Sequence, residues 1–488
     1  MFWKTAGGNG KRLCYLLLVI FSAAACACVE TESGSYHDSG TYEKPIYSGI
    51  AHRSFTYEGP MRNPVIVIHG LLGAKLTDEA NGDNIWGNFS YQSISEGTNF
   101  AKLAHPMGLG QPLNKLRNSI RPSGVMDHSA VRVLGINFQI DNYDTLLSLL
   151  KKCGYQPETN PLPQNRHFAS LFVFYYDWRR DISENACRLA EFIQQKKAYL
   201  QNRYEAIYQH KNYPVKFDLV GHSMGGLVAR YYAMYGGKEL PQKEQDPMRV
   251  TWAGARNIGK LIMIGTPNAG YADTLLELNW GLRLVPSAPA YPKALIGSFV
   301  SYYQMLPDPS FNAVQYNDGT PVDYFDIKVW ERYNWGLLDP EQDVWLQRIL
   351  PKVADRNIRR KIALDHLKKC LGRARQFKKA LLPEVLPPPP PGLQFYLIAG
   401  DAVMTSQNLQ VDRKTGAVKT VKMESGDGKI LTSSAIFDRR TVNSWRWQSD
   451  SPIPWRTVYI FQGGHMGIMN SPVFASNFSY VLAGIPSK

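Results

Sequence analysis

Cysteine is scarce in this chain, and six copies among 488 residues exclude a disulfide-built scaffold. Three of them, Cys14, Cys26 and Cys28, crowd the N-terminus, which leaves an odd number, Cys153, Cys187 and Cys370, in the body. The sequence has no C-x-x-C pair, no H-E-x-x-H and no histidine cluster, so neither a zinc site nor any other cofactor is expected. Negative charge is also short: 41 acidic residues face 55 Lys and Arg, a net charge of +14. That balance suggests an acidic partner, either an anionic membrane surface or nucleic acid. No helix-turn-helix, zinc-finger or RNA-recognition signature accompanies the charge, which disfavours nucleic acid. What is present is ordinary for a globular protein, with 44% hydrophobic and 20% charged residues. The length suits one enlarged domain with insertions.

The N-terminus reads as an export signal over residues 1–28. Lys4, Lys11 and Arg12 form a basic start, and the apolar run from Leu13 to Ala25 is too short to span a bilayer comfortably. Ala23-Ala24-Ala25-Cys26 resembles the lipidation site of bacterial lipoproteins, with Cys26 as the lipidated residue and Cys28 as the alternative. Plain cleavage and secretion is the simpler outcome. Either way the protein is expected to be exported, lipid-anchored at the bacterial envelope or secreted. Residues 29–59 then read as a flexible tether, rich in Ser, Gly, Glu and Thr at the start.

The stretch from Phe217 to Tyr232 organises the body. Its first half is a short apolar run suited to a buried strand, and its second half suits a helix. Between them Gly221-His222-Ser223-Met224-Gly225 forms a G-x-S-x-G turn, which exposes a serine hydroxyl on a tight strand-to-helix elbow. The following helix directs its N-terminal amides at the same point, where a developing negative charge is favoured. Upstream, the β-branched run from Val65 to Ile68 leads into His69-Gly70-Leu71-Leu72-Gly73, where an α/β-hydrolase places an oxyanion donor. The amides of Leu71 and Met224 are therefore the expected oxyanion hole. His69 in this position is more often structural than catalytic.

Further strands are expected from Leu171 to Tyr176, from Lys260 to Gly265, from Gln394 to Gly400 and from Thr457 to Phe461, with a helix from Asn185 to Tyr208. Alternating strands and helices predict an α/β fold, a mostly parallel sheet with helices on both faces. Residues 60–270 form its first part, with a loop-rich insertion over 76–166 in which Ile85, Trp86 and Phe89 either face a ligand or seal a local core. Residues 271–392 are too long for a crossover and read as a cap or lid. Its Trp280, Tyr302, Tyr303, Met305, Leu306 and Trp330 could line an acyl site or form the cap's own core. From Pro351 to Leu386 eleven Lys or Arg face three acidic residues, and Ile358, Ile362, Leu367 and Leu371 recur at near-helical spacing. This basic amphipathic helix could rest on anionic phospholipid or be a solvated face. It ends in a polyproline spacer, Pro387 to Pro391, and residues 393–488 complete the sheet.

Only two histidines follow Ser223, and His366 lies within the basic helix, so His465 in the loop Gln462-Gly463-Gly464-His465 is the expected base. Asp427, between two glycines beyond a hairpin centred on Asp412 to Gly416, is the expected acid, with Asp401 as the runner-up.

Together these motifs resemble the lecithin:cholesterol acyltransferase family, which includes phospholipid:diacylglycerol acyltransferases and a lysosomal phospholipase. The resemblance rests on His69-Gly70-Leu71-Leu72-Gly73, Tyr176-Asp177-Trp178-Arg179, Gly221 to Gly226, Gly265-Thr266-Pro267 and Gly426-Asp427-Gly428. In the family the last motif carries the catalytic acid, which favours Asp427, although Lys429-Ile430-Leu431 replaces the usual Thr-Val-Pro. The resemblance implies a lipase-like α/β-hydrolase and serine-dependent acyl transfer on a phospholipid or acylglycerol. Water as acceptor makes it a phospholipase or lipase, and a lipid alcohol makes it an O-acyltransferase. Two other classes use the same residues: a soluble carboxylesterase or polyester depolymerase, and a non-catalytic lipid-binding protein on a hydrolase scaffold.

Overall fold

Runs of β-branched and aliphatic residues bounded by turns give the central strands of this computed structural model. It describes residues 49–483 apart from 88, 91–97, 127, 134–135, 142, 244–245, 247, 284–289 and 441–445. Cys26 and the expected export signal lie outside the described residues. The strands that position the site are β1 (Val65–Ile68), β2 (Leu171–Phe174), β3 (Phe217–His222), β4 (Ile258–Ile264), β5 (Gln394–Gly400), a hairpin of β6 (Val403–Val411) and β7 (Val418–Gly426), and β8 (Trp455–Phe461). Six of them form one sheet in the order β8-β5-β4-β3-β1-β2, and every pairing is parallel. The expected α/β-hydrolase architecture is observed.

Successive side chains of a strand point to opposite faces, and both faces of this sheet are covered. Ile66 and Ile68 of β1 join Leu261 and Met263 of β4 in one core, while Val65 and Val67 join Ile262 and Ile264 in a second. The helices needed below are α1 (Asp144–Lys152), α2 (Ile182–Tyr208), α3 (Met224–Tyr235), α4 (Asp273–Trp280), α5 (Arg356–Leu381) and α6 (Pro472–Ala483). Leu146 of α1 and Phe474 and Phe478 of α6 belong to the second core, and Leu189 of α2 and Leu227 and Val228 of α3 to the first. Burying each such side chain contributes about 1.5–3 kcal/mol before entropy is counted.

Three expectations need correction. The tether does not reach residue 59: Gly49–Thr56 is helical, Phe55 is buried in the second core and Ser54 Oγ donates to the carbonyl of Ala483. The aromatic side chain of Phe55 gives this segment apolar surface to bury. The insertion over 76–166 is less loop-like than its glycines suggest. It holds an antiparallel sheet of Ala74–Asp78, Asn84–Trp86 and Ile120–Val125, as well as α1. Ile85 and Trp86 are buried in the first core, whereas the side chain of Phe89 lies outside the described residues.

The basic helix is the third correction. α5 starts where the Asp355 carboxylate accepts from the amide of Ile358, and it then runs through the cap as a packed strut. Ile362, Leu367 and Leu371 are buried as the spacing predicts, but Ile358 is exposed and Arg359, His366 and Lys378 are buried. Much of its charge is committed inside the protein: Arg359 pairs with Asp343 at 2.5 Å and Arg373 with Asp181 at 2.7 Å. Elsewhere in the cap, Tyr302, Tyr303, Met305, Leu306 and Trp330 are fully buried in its core, and Trp280 is exposed. A short cap strand, Val314–Tyr316, pairs in parallel with β6, whose antiparallel partner β7 runs directly into Asp427.

Candidate active site

At the C-terminal end of β3 the chain reverses into α3 through Ser223, which has φ +53° and ψ −126°. The left-handed φ is unusual for a residue with a side chain. It is held by the Ser223 amide, which donates to the carbonyl of Ile264 at 2.7 Å. α3 can approach this closely only because residue 226 is glycine: a Cβ there would stand 2.0 Å from Thr266 Oγ1. Gly70 abuts the elbow from the other side, where an added Cβ would lie 2.8 Å from Ser223 Cβ.

Three distant residues meet here. His465, in the loop after β8, holds Nε2 at 2.9 Å from Ser223 Oγ and Nδ1 at 2.7 Å from Asp427 Oδ2. The other oxygen of Asp427, Oδ1, accepts from the amides of Lys429 at 2.9 Å and Ile430 at 2.7 Å. Burial pushes the Asp427 pKa up, but the His465 imidazole and these two amides outweigh it and hold the carboxyl below its usual range. An ionised carboxylate on Nδ1 fixes the tautomer with the proton on that nitrogen, which leaves Nε2 free to accept from serine. Asp401, the alternative acid, is exposed and its amide is bonded to the carbonyl of Phe461.

Leu71 follows Gly70 in the loop after β1, and Met224 opens α3. Among the described residues neither amide donates a hydrogen bond. Met224 thus lies at the start of a helix whose dipole favours negative charge, and Leu71 is next in the chain to the Gly70 that abuts the elbow. His69 is a support. Its Nδ1 donates to the carbonyl of Gly70 at 2.7 Å and its Nε2 accepts from the amide of Tyr176 at 3.1 Å. Burial lowers its pKa to about 4, so it is neutral. His366 is also buried and neutral, with Nε2 at 2.9 Å from the carbonyl oxygen of Ser298 rather than bonded to Ser223 or Asp427.

Sequence reasoning missed a second chain of hydrogen bonds behind the triad. The amide of Gly70 donates to Tyr143 Oη at 2.7 Å, and Tyr143 Oη lies 2.9 Å from His222 Nδ1. His222 Nε2 lies 3.1 Å from the carbonyl oxygen of His465. That carbonyl can only accept, so Nε2 carries the proton, Nδ1 is the acceptor and Tyr143 must donate to it. Burial, with His465 close by, lowers the His222 pKa to about 3, so the ring is neutral. The relay joins the oxyanion loop, the elbow and the His465 backbone. His222 was visible as the x of the motif, but nothing in the insertion distinguished Tyr143 from the chain's other tyrosines.

Tyr176-Asp177-Trp178-Arg179 proves architectural. Arg179 grips Asp177 through Nε at 2.9 Å and Nη2 at 2.7 Å, and Trp178 Nε1 donates to the carbonyl of Ala74 at 3.0 Å. Among the described residues no group of three or more His, Cys, Asp or Glu could hold a metal ion, and Cys153, Cys187 and Cys370 are free thiols. Also among them, no helix is long and apolar enough to cross a membrane.

The sequence profile of the lecithin:cholesterol acyltransferase family matches residues 114–380, more than half of the chain. The match includes the elbow and stops short of Asp427 and His465, which the geometry alone brings to it. No curated protein sequence matches the chain. Among solved structures, a chain of the Tle4–Tli4 complex is 12% identical, with 87% of this chain and 99% of that one covered at a TM-score of 0.55. The mature lipase BlEst2 of Bacillus licheniformis is 11% identical, covering 88% and 94% at a TM-score of 0.32. EstA from Clostridium botulinum is 13% identical, covering 89% and 91% at a TM-score of 0.31. At such identities the first of these likenesses speaks to the fold and to nothing finer.

Proposed function

Because the chain belongs to the lecithin:cholesterol acyltransferase family, and so to lipid-ester hydrolases and acyltransferases in general, we propose that Ser223 carries an acyl group between a lipid ester and an acceptor. The observation that carries this reading is the unbroken chain from Ser223 Oγ through the His465 imidazole to Asp427, at 2.9 and 2.7 Å. As Oγ attacks the ester carbonyl, His465 Nε2 takes its proton, and Asp427 stabilises the imidazolium without itself being protonated. The amides of Leu71 and Met224 receive the tetrahedral oxyanion, each such donor being worth about 3–4 kcal/mol in the transition state. His465 returns the proton to the departing alcohol as the ester bond breaks, leaving an acyl-serine. Water or a lipid alcohol then gives up its proton to His465, attacks the acyl carbon and restores Ser223.

The donor we assign is a phospholipid or an acylglycerol. An anionic lipid surface is the proposed meeting place, supported by the net charge of +14. Export with a lipid anchor on Cys26 belongs to the same reading and is tested by incorporation of labelled palmitate into wild type and Cys26→Ser.

The function is tested by incubating purified protein and Ser223→Ala with phospholipid vesicles, with and without a lipid alcohol, and resolving the products by mass. Free fatty acid without acyl-alcohol identifies a phospholipase. An acyl-alcohol product identifies a transferase. Equal product from wild type and Ser223→Ala would overturn the assignment.

A further inference from the structure

A cavity of about 580 Å³ opens between the last turn of α5 and the cap segments 308–314 and 321–325. None of Ser223, Asp427, His465, Leu71 or Met224 lines it. It is nonetheless tied to the core, because the amide of Asp308 on its wall donates to the carbonyl of Ala269, just beyond β4, at 2.7 Å. Its size falls within the roughly 300–1,000 Å³ typical of small-molecule sites. Val314, Val322, Phe325 and Leu382 supply apolar walls.

Lys378 also lines this cavity and is 9% exposed. Its carbonyl accepts from the amide of Leu382 at 3.0 Å, but among the described residues its ammonium has neither a hydrogen-bond partner nor an ion pair. Asp308 favours its charged form and Arg230 opposes it. Asp308 Oδ1 is already occupied by the amide and hydroxyl of Ser310, at 3.0 and 2.6 Å. Arg230 is buried too, and among the described residues its guanidinium reaches only neutral oxygens, Asn268 Oδ1 at 3.3 Å and the carbonyl of Leu381 at 2.8 Å. Asp308 favours the charged form of both cations but, among the described residues, forms an ion pair with neither. On the rim, Arg375 donates to the carbonyl of Phe325 and Asp323 accepts from its amide. Burial brings Lys378 down to about 8 from 10.5, with Asp308 offsetting part of the cost. A buried charge without a partner is costly, and a protein keeps one where something else completes it.

We propose that this cavity binds a single-chain anionic amphiphile, its carboxylate or phosphate head on Lys378 and its tail along Val314, Val322, Phe325 and Leu382. The site is separate from Ser223 and does not depend on what Ser223 does. A regulatory lipid or a retained product would each have this chemistry.

The test uses the full chain with Ser223 blocked by an alkylphosphonate, so that the catalytic centre cannot contribute. Binding of dodecanoate, dodecyl phosphate, dodecanol and inorganic phosphate is measured by calorimetry on wild type, Lys378→Met, Lys378→Arg and Val314→Trp. The expected result is saturable binding of dodecanoate or dodecyl phosphate, weakened at least tenfold in Lys378→Met and retained in Lys378→Arg. Val314→Trp, which fills the cavity and leaves the lysine in place, should also lose binding. Whichever head binds more tightly identifies the source as fatty acid or phospholipid-derived. Dodecanol binding as well as dodecanoate would overturn the role of charge, and inorganic phosphate binding as well as dodecyl phosphate would overturn the role of the tail. No saturable binding of either anionic amphiphile, or unchanged affinity in a folded Lys378→Met, would overturn the site.

Discussion

At Asp427 a buried carboxylate meets an imidazole and two backbone amides, whereas the ammonium of Lys378, a largely buried side chain on a cavity wall, meets no hydrogen-bond partner among the described residues. Both groups sit in low dielectric, where an unmatched charge is expensive. The first region is complete as folded: its donors and acceptors are matched, so the geometry is held ready before a substrate arrives. The second leaves a charge for something else to match. If both proposals hold, the carboxylate that orients the base is matched within the fold, whereas the ligand's site is marked by a charge left unmatched.

The largest way to break the balanced side is Ser223→Ala. Turnover should fall by about 10⁴- to 10⁶-fold with the fold intact, read as kcat beside an unchanged circular dichroism spectrum. Asp427→Asn should cost about 10⁴-fold, because the amide removes the charge that fixes the His465 tautomer. A smaller break is Tyr143→Phe, which strands the Gly70 amide and His222 Nδ1 without touching the triad. We expect a roughly 10- to 100-fold fall in kcat with KM nearly unchanged, and a stability loss of about 1–3 kcal/mol by denaturant melting. A variant that lost stability and kept its kcat would reduce Tyr143 to a structural role.

The smallest effect sharpens the other side of the comparison. Lys378→Met removes an unmatched buried charge and should stabilise the empty protein by the order of 2 kcal/mol at pH 7. The sign of its pH dependence follows from protons. The folded lysine loses its proton near 8 while the unfolded one keeps it to 10.5. The penalty is complete below pH 8 and fades between the two values, so the unfolded state binds more protons there and wild-type stability climbs. Melting curves of the two proteins should therefore converge between pH 8 and 10.5.

The triad's serine and histidine could be found in the sequence because chain order and local turn chemistry constrain them. Ser223 sits on a motif with its own strand and helix, and His465 was the one remaining histidine near a strand end. The acid was harder: Asp401 and Asp427 both follow the right strand, and only the hairpin's return brings one of them to the histidine. Tyr143 could not be read at all. Its partners lie 73 and 79 residues away, so its role exists only in the folded contact. The cap stayed ambiguous for a related reason. An apolar side chain that lines a ligand and one that fills a core have the same sequence, and the five fully buried there are equally compatible with both. The charge pattern of α5 marked a surface, whereas acidic residues from elsewhere in the chain draw Arg359 and Arg373 inward.

The pairing of Val314–Tyr316 with Leu409–Val411 has a consequence for how this molecule can be re-engineered. Those three cap residues are stitched by main-chain bonds to the ladder that ends at Asp427, so the cap is not a hinged cover with one seam. Swapping it wholesale for a relative's would leave the edge of β6 bare and unsettle the acid. A workable transplant would have to carry residues 403–426 along with the cap, and substrate range would be inherited together with the geometry of the carboxylate.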